Sequence, residues 1–226
     1  MFFGVAVRIA ALAACVALLI PGCSPPEPKD AALKTIDPKA LQGVVEAAAA
    51  KLMVPGAMVP VRSPQGRFDV AVGTTELGAK TPPTASTHFR IASNTKTMTA
   101  ALIVLLAQDG KLKLTDPVSA HVPNVPNGEN ITVADLLKMR SGFYGYTGDA
   151  ALAAVLDADP GRAWTPQEAL DIAFRHPPLF APDASYDYSN TNFALLGLVA
   201  ETAGRLPLAA QLPGRPFGPV GLAQPS

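Results

Sequence analysis

The sequence has 226 residues, of which 49% are apolar, and its 18 basic and 18 acidic side chains give a formal net charge of zero. This length suffices for one sizeable hydrophobic core and is too short for two full domains. The absence of a basic run argues against binding to nucleic acid or to an anionic membrane surface. We therefore expect no nucleic-acid partner.

Residues 1–22 have the pattern of a signal peptide. One positive charge lies within residues 1–8, and residues 9–20 are uninterrupted apolar. This run is too short to span a bilayer as a stable helix. Residues 20–23 (IPGC) resemble a bacterial lipobox, which implies cleavage before Cys23 and diacylation of its thiol. The alternative is an ordinary signal peptide cleaved nearby, and in both cases the mature protein leaves the cytoplasm.

Residues 23–36 are predicted to form a spacer, because their prolines and charges cannot build a core and favour an extended chain. With Cys23 lipidated, this spacer would tether the following domain, residues 37–226, to the bacterial cell membrane. Cys15 lies in the removed segment, so the mature chain has no partner for a disulfide.

The domain begins with a predicted helix and a predicted β-hairpin. Asp37 followed by Pro38 is typical of a helix start, and apolar residues then recur at helical spacing up to residues 55–56 (PG). Two short β-like runs, residues 56–62 and 68–73, are joined by a turn that contains Pro and Gly. Pro60 fits poorly inside the first strand, because it removes a hydrogen-bond donor.

Four further helices are predicted downstream. Residues 94–108 have a helical apolar pattern with Ser93 at the start. Capped starts at residues 132–135 and 165–168 predict helices that end near residue 142 and before residue 177, and a last helix runs from about residue 192 to 203, with Gly204 as its stop. A two-stranded hairpin rarely stands alone in water, so the predicted sheet looks incomplete.

The candidate chemistry lies in Ser93, Lys96, Tyr188 and Asn190. A serine hydroxyl needs a neighbouring base to act as a nucleophile, and Lys96 follows one helical turn later. A phenol can relay a proton and a carboxamide can hold a substrate amide. The alternatives stay open at this point: Ser93 as a helix cap, Lys96 as a solvated surface residue, and Tyr188 to Asn190 as turn chemistry.

The three histidines, His88, His121 and His176, are scattered, and no carboxylate or cysteine stands beside them at ligand spacing. We assign them loop or surface roles. The sequence predicts neither a metal site nor a cofactor.

Four segments then decide the interpretation. They are residues 89–100 (FRIASNTKTMTA), 110–118 (GKLKLTDPV), 131–142 and 186–197 (YDYSNTNFALLG). In this order they resemble the serine β-lactamase and D-alanyl-D-alanine carboxypeptidase superfamily, in its class C and related-esterase branch. The resemblance implies an α+β, β-lactamase/transpeptidase-like fold, in which a helical lobe stands beside an antiparallel sheet.

By this resemblance Ser93 is the acylated nucleophile, Lys96 and Tyr188 are joint candidates for its base, and Asn190 holds the acyl side chain of the substrate. Tyr188 would also protonate the leaving nitrogen. The implied partners are a peptidoglycan peptide ending in D-Ala-D-Ala, a β-lactam or a small ester, together with the membrane through Cys23.

The family's third element, Lys-Thr-Gly or His-x-Gly on a late strand, has no counterpart in the sequence. We therefore expect a C-terminally truncated domain that has only the N-terminal hairpin of its sheet. Loss of one oxyanion donor typically costs about 100- to 1,000-fold in rate, which predicts weak or no activity. The alternative function is a non-catalytic lipoprotein that binds a cell-wall peptide or a protein partner.

Overall fold

The computed structural model describes residues 33–222. The predicted signal peptide, the lipidation site Cys23 and most of the spacer 23–36 lie outside the described residues. The chain divides into two compact units, Met1–Thr87 and His88–Ser226.

The first unit contains one helix and the predicted hairpin. Helix α1 is Pro38–Lys51, and the Asp37 carboxylate caps it by accepting a hydrogen bond from the Lys39 amide at 2.9 Å. Strands β1, Gly56–Ser63, and β2, Gly66–Gly73, pair antiparallel and form the one sheet of residues 33–222. Both predictions are confirmed.

The register of the hairpin explains how a proline is tolerated. Gly56 lies opposite Gly73, Ser63 lies opposite Gly66, and Pro60 lies opposite Asp69. Within residues 33–222, β1 pairs with β2 alone, so its other side is a sheet edge, where a missing donor costs no ladder bond.

The second unit is helical. Its six α-helices follow a 3₁₀ turn at Ala92–Asn94. Their bounds are α2 Thr95–Gln108, α3 Val133–Leu137, α4 Ala150–Ala158, α5 Pro166–Ala173, α6 Asn190–Gly204 and α7 Leu208–Gln211. Together with the hairpin, these helices make an α+β chain, as predicted.

Capping signals located two of these helices correctly. At α3 the Thr132 side chain accepts from the Asp135 amide while the Asp135 carboxylate accepts from the Thr132 amide, and Thr165 and Glu168 form the same reciprocal pair at α5. Each pair satisfies amides that have no acceptor within the helix, which is why the chain starts a helix there.

Helix lengths differ from prediction at several places. Helix α3 ends at Leu137, well before residue 142, and α4 was not predicted at all. Helix α6 begins at Asn190 and ends at Gly204, and the cap residue that follows, Arg205, takes the left-handed conformation with φ of 56°. A Cβ at Gly204 would lie 1.9 Å from the Gln211 Oε1, so a larger residue there would displace the Gln211 side chain.

The core of the second unit is built around α2 and α6. Helix α2 contributes Leu102, Ile103 and Leu106, and α6 contributes side chains that are equally inaccessible to solvent, Leu195, Leu196 and Val199. Burial of such side chains stabilises a fold by about 1.5–3 kcal/mol each. The packing of α2 on α6 brings the first turns of both helices together.

Within residues 33–222, no single helix is long and apolar enough to cross a bilayer. Helix α6 and the segment Leu208–Val220, joined at a 65° bend, pass that test only as a pair, by length and composition.

Candidate active site

Ser93 lies in the 3₁₀ turn that leads into α2, and its hydroxyl is exposed. The Ser93 Oγ accepts hydrogen bonds from Lys96 Nζ at 3.1 Å and from Tyr188 OH at 2.8 Å. It does not cap the helix, since α2 has Asn94 as its cap residue and no side-chain capping bond. Ser93 therefore faces two groups that exchange protons.

The residue before the nucleophile is strained. Ala92 has a φ of 45°, in the left-handed region that L-residues other than Gly, Asn and Asp rarely adopt. Such a conformation costs about 1–2 kcal/mol for an alanine. This turn also places the Ser93 amide in the first turn of the helical segment, where backbone amides have no acceptor within the helix.

Lys96 is the centre of the polar network. Its Nζ donates to Ser93 Oγ and also to Asn190 Oδ1 at 2.5 Å, across 94 positions of sequence. The same ammonium lies 4.9 Å from the ring centre of Tyr188 and 5.7 Å from that of Phe193. These contacts orient the amine towards Ser93.

Tyr188 presents its hydroxyl to Ser93 from a half-exposed position. The neighbouring Lys96 lowers the pKa of the Tyr188 phenol below its usual value of 10, and the hydrogen bond with Ser93 lowers it further. The phenolate is therefore reached at a lower pH than in free tyrosine, which suits a group that both gives and takes a proton.

Asn190 is the first residue of α6, and its side chain holds Lys96 on one side and a threonine on the other. Its Nδ2 donates to Thr147 Oγ1 at 3.1 Å. Thr147 belongs to this network although no sequence pattern pointed to it, since it lies in a short 3₁₀ turn, Tyr146–Gly148, that carries no motif. The structure thus brings together all four residues predicted from the sequence and adds Thr147.

The residues between and after the motif positions are buried. Ser141 Oγ donates to Asn192 Oδ1, and both side chains are almost inaccessible to solvent. Thr191 Oγ1 donates to the Tyr144 carbonyl at 2.6 Å. Ser189 is 1% exposed, and its hydroxyl has no hydrogen-bond partner in the part of the chain that the structure describes.

Residues 140–142, Arg-Ser-Gly, have the basic, hydroxyl and glycine order of the family's third element. Their contacts are structural, because the Arg140 guanidinium pairs with Asp183 and Ser141 bonds to Asn192. Gly142 has a φ of 81°, and a Cβ there would lie 2.1 Å from the Phe180 carbonyl oxygen. This triplet therefore supports the loop and does not take the place of the third element.

Two of the histidines form hydrogen bonds with carboxylates away from this network. His121 Nε2 lies 3.1 Å from Asp116, and His176 Nε2 lies 2.9 Å from Asp149. Residues 33–222 contain no group of three His, Cys, Asp or Glu side chains arranged to hold a metal ion.

The electrostatics of the site favour negative charge. Helices α2 and α6 both begin here, and each helix start carries about half a positive charge from its aligned peptide dipoles. With the Lys96 ammonium between them, an oxyanion that forms beside Ser93 is stabilised. The arrangement is chemically suited to acyl transfer.

Comparisons with known proteins agree with this geometry. The chain is similar to the protein called Protein flp of Staphylococcus aureus (strain NCTC 8325 / PS 47), with 32% identity over 154 residues. A D-stereospecific amidohydrolase from Streptomyces sp. superposes with a TM-score of 0.71 at 34% identity. D-amino acid amidase from Ochrobactrum anthropi SV3 superposes with a TM-score of 0.69 at 30% identity.

These matches cover a larger share of this chain than of the proteins it matches. The match to Protein flp covers 66% of this chain and 30% of that protein. The amidohydrolase match covers 83% of this chain and 55% of the other, and the amidase match covers 81% and 49%. The chain therefore spans about a third to a half of the length of these relatives. The predicted β-lactamase/transpeptidase-like fold is confirmed.

A model of one family, Beta-lactamase, matches residues 41–226, which include Ser93, Lys96, Tyr188 and Asn190. Since this match takes in most of the sequence, the chain belongs to the Beta-lactamase family.

Proposed function

We propose that the protein is a serine acyl hydrolase that acts through an ester at Ser93. Its substrates would be D-Ala-D-Ala peptides, β-lactams or small esters. The observation that carries this proposal is the position of Ser93 Oγ, which accepts hydrogen bonds from both Lys96 Nζ and Tyr188 OH. A hydroxyl held by two groups that can each take its proton has the environment of an activated nucleophile.

The names of two similar proteins support hydrolysis of an acyl bond. One is an amidohydrolase and the other an amidase, and both are D-specific or D-amino-acid enzymes by name. These names support a substrate with an amide bond next to a D-configured centre, which D-Ala-D-Ala peptides contain.

In the acylation step, Ser93 Oγ forms a bond to the substrate carbonyl carbon while its proton passes to the neutral Lys96 amine or to the Tyr188 phenolate. The carbonyl oxygen takes the electron pair of the broken π bond and becomes an oxyanion. The Ser93 amide and the helix starts stabilise this charge.

When the oxyanion collapses, the bond to the leaving nitrogen or oxygen breaks, and the Tyr188 phenol gives that atom a proton. An ester of Ser93 remains. Water then attacks this ester, loses its proton to the same groups, and releases the acid and the free Ser93 hydroxyl. Asn190 keeps the Lys96 amine in place during both steps through the 2.5 Å hydrogen bond.

The test is covalent labelling of the folded protein with a fluorescent fluorophosphonate and a fluorescent penicillin. A reactive phosphonate reports the nucleophile even where turnover is slow. We expect label on the wild type and on Ser119→Ala, an exposed serine outside the network, and no label on Ser93→Ala. If the folded wild type takes up neither probe at Ser93, the proposal is wrong, and the non-catalytic cell-wall-binding lipoprotein becomes the better hypothesis.

We further propose that the protein is exported and anchored to the bacterial cell membrane through a lipid on Cys23. The support is the lipobox-like sequence before this residue. Metabolic labelling with a fatty-acid analogue is expected to mark the wild type and not Cys23→Ala. Equal labelling of both proteins would contradict lipidation at this cysteine.

A further inference from the structure

An apolar groove of about 390 Å³ lies along α6, within the second unit. This volume is in the range of about 300–1,000 Å³ that small-molecule sites have. Its walls come from four helices and the segment before α5. Helix α4 contributes Leu152 and Leu156, α6 contributes Ala194 and Leu198, and α7 contributes Leu208. Trp164 comes from the segment before α5.

The groove begins at the candidate active site. Two of its lining residues, Thr147 and Phe193, also belong to the polar network. Thr147 accepts the hydrogen bond from Asn190, and the Phe193 ring centre lies 5.7 Å from the Lys96 ammonium. The groove therefore adjoins the residues that contact Asn190 and Lys96.

One face of α6 forms the floor of the groove. The floor follows α6 from Phe193 to Glu201, nine residues whose eight rises of 1.5 Å span about 12 Å. Ala194 and Gly197 provide a floor without bulky side chains. The Glu201 carboxylate marks the far end, where it accepts a hydrogen bond from the Leu208 amide at 2.8 Å.

We infer that this groove binds the acyl part of the substrate and selects an elongated apolar acyl group, such as an octanoyl chain. This inference rests on the proposed function, because it assumes that the acyl carbon is attached to Ser93. An extended eight-carbon chain, with seven bonds of about 1.5 Å in zigzag, is about 9 Å long and fits within the floor of about 12 Å. The methyl side chain of a D-alanine would leave most of the groove unfilled.

Binding can be measured without catalysis, because Trp164 is the only tryptophan of the chain and lines the groove. Its fluorescence is followed during titration with octanoate and with butyrate, two probes that share the carboxylate and differ by four CH₂ groups. Each buried CH₂ strengthens binding about fourfold. We expect a saturable change with octanoate and an affinity at least tenfold tighter than that for butyrate, in the wild type and in Ser93→Ala.

Two substitutions alter the groove by different means. Ala194→Phe fills the floor and is expected to weaken octanoate binding at least tenfold. Leu156→Gln replaces an apolar wall by a polar one of similar size, and it is expected to weaken octanoate binding about threefold. Leu156 is 41% exposed, so its substitution leaves the core intact. Leu114→Gln, at a leucine that is 37% exposed and lies outside the groove, is the matched control.

The catalytic counterpart is the ratio of kcat/KM for p-nitrophenyl octanoate to that for p-nitrophenyl butyrate. This ratio is expected to exceed ten in the wild type and to fall at least tenfold in Ala194→Phe. Equal affinities for octanoate and butyrate would overturn the inference, as would unchanged octanoate binding in a folded Ala194→Phe protein. If that variant fails to fold, unchanged binding in Leu156→Gln overturns it. Failure of the proposed function is separate, since it would show as tight octanoate binding without any Ser93-dependent hydrolysis.

Discussion

Replacing Tyr188 by Phe removes one oxygen atom and leaves the rest of the site in place. The phenol contributes a 2.8 Å hydrogen bond to Ser93 Oγ, whereas the ring contributes a separate contact with the Lys96 ammonium at 4.9 Å. Phenylalanine keeps the second contact, because the face of its ring also attracts a cation. The substitution therefore isolates the proton-transfer role of the hydroxyl.

The expected loss of activity is that of a single proton-transfer group, because only the Tyr188 hydroxyl is removed. A positioned group that gives or takes a proton contributes about 100- to 10,000-fold in rate. Lys96 remains hydrogen-bonded to Ser93 in the variant and can still accept the serine proton. We therefore expect kcat/KM for ester hydrolysis to fall by about 100-fold, near the lower end of this range. Leaving groups of high pKa should suffer more than p-nitrophenolate, since they need the proton.

The assay compares the wild type, Tyr188→Phe and Tyr186→Phe with p-nitrophenyl esters and with anilides of the same acid. Tyr186 is 62% exposed and lies two positions earlier, which makes it the matched control. The lowering of the Tyr188 pKa by Lys96 and Ser93 also predicts a change in the pH profile of kcat/KM. The alkaline limb due to this phenol should be present in the wild type and in Tyr186→Phe, and absent from Tyr188→Phe.

A kcat/KM of Tyr188→Phe within threefold of the wild type for both substrates would refute the role given to this hydroxyl. The same conclusion would follow if Tyr186→Phe lost as much activity as Tyr188→Phe. The melting temperature of each variant is measured beside the kinetics, because a half-exposed phenol contributes little to packing. A large drop in that temperature would assign the loss to unfolding.

Three other predictions concern the support around the site. Ser189→Ala is expected to raise the free energy of unfolding by up to about 1 kcal/mol, because the native hydroxyl is buried without a partner among residues 33–222. Asn192→Ala is expected to lower it by about 2–3 kcal/mol, since it leaves the buried Ser141 hydroxyl without its acceptor. The hydrogen bond from His176 and the α4 amides lower the pKa of Asp149, so this carboxylate stabilises the fold above its unfolded pKa of about 3.9, and the stabilisation is lost as the pH falls through the lower folded pKa. Asp149→Asn should therefore flatten the acid limb of the melting-temperature profile.

Urea unfolding measures the first two variants, with Asn130→Ala as an exposed asparagine control. A loss of more than 1 kcal/mol in Ser189→Ala would show that its hydroxyl has a partner. An unchanged stability of Asn192→Ala would contradict the importance of its bond with Ser141. For Asp149, an acid limb identical to that of the wild type would exclude a stabilising carboxylate.

Short-range signals predicted the helix starts well. Asp37, Thr132 and Thr165 each accept a backbone hydrogen bond in the structure, and each satisfies an amide within three residues of itself. Because capping depends on neighbours in sequence, it can be read from sequence. Helix α4 was not predicted from the sequence. It is rich in alanine and buries one side chain, Leu152, so it has no apolar stripe to detect.

In the candidate site, too, contacts between sequence neighbours could be predicted and contacts that depend on helix packing could not. The spacing of Ser93 and Lys96 indicated that they meet, because they are one turn apart on the same chain segment. The contact of Lys96 with Asn190 joins residues 94 positions apart and depends on how α2 packs against α6. The hydrogen bond from Asn190 to Thr147 has no local signature, since any small hydroxyl or amide in the 3₁₀ turn Tyr146–Gly148 would look the same in sequence.

Ala92 is exposed to solvent, yet its left-handed conformation limits which residues can replace it. An exposed alanine normally accepts almost any side chain, yet the φ of 45° excludes β-branched residues on conformational grounds. In a saturation library, position 92 should retain Ala, Gly, Asn and Asp and lose Val, Ile and Thr, a profile that resembles a buried site. A substitution at Ala92, which contacts neither a ligand nor the polar network, can then abolish activity by moving the Ser93 hydroxyl away from Lys96 and Tyr188.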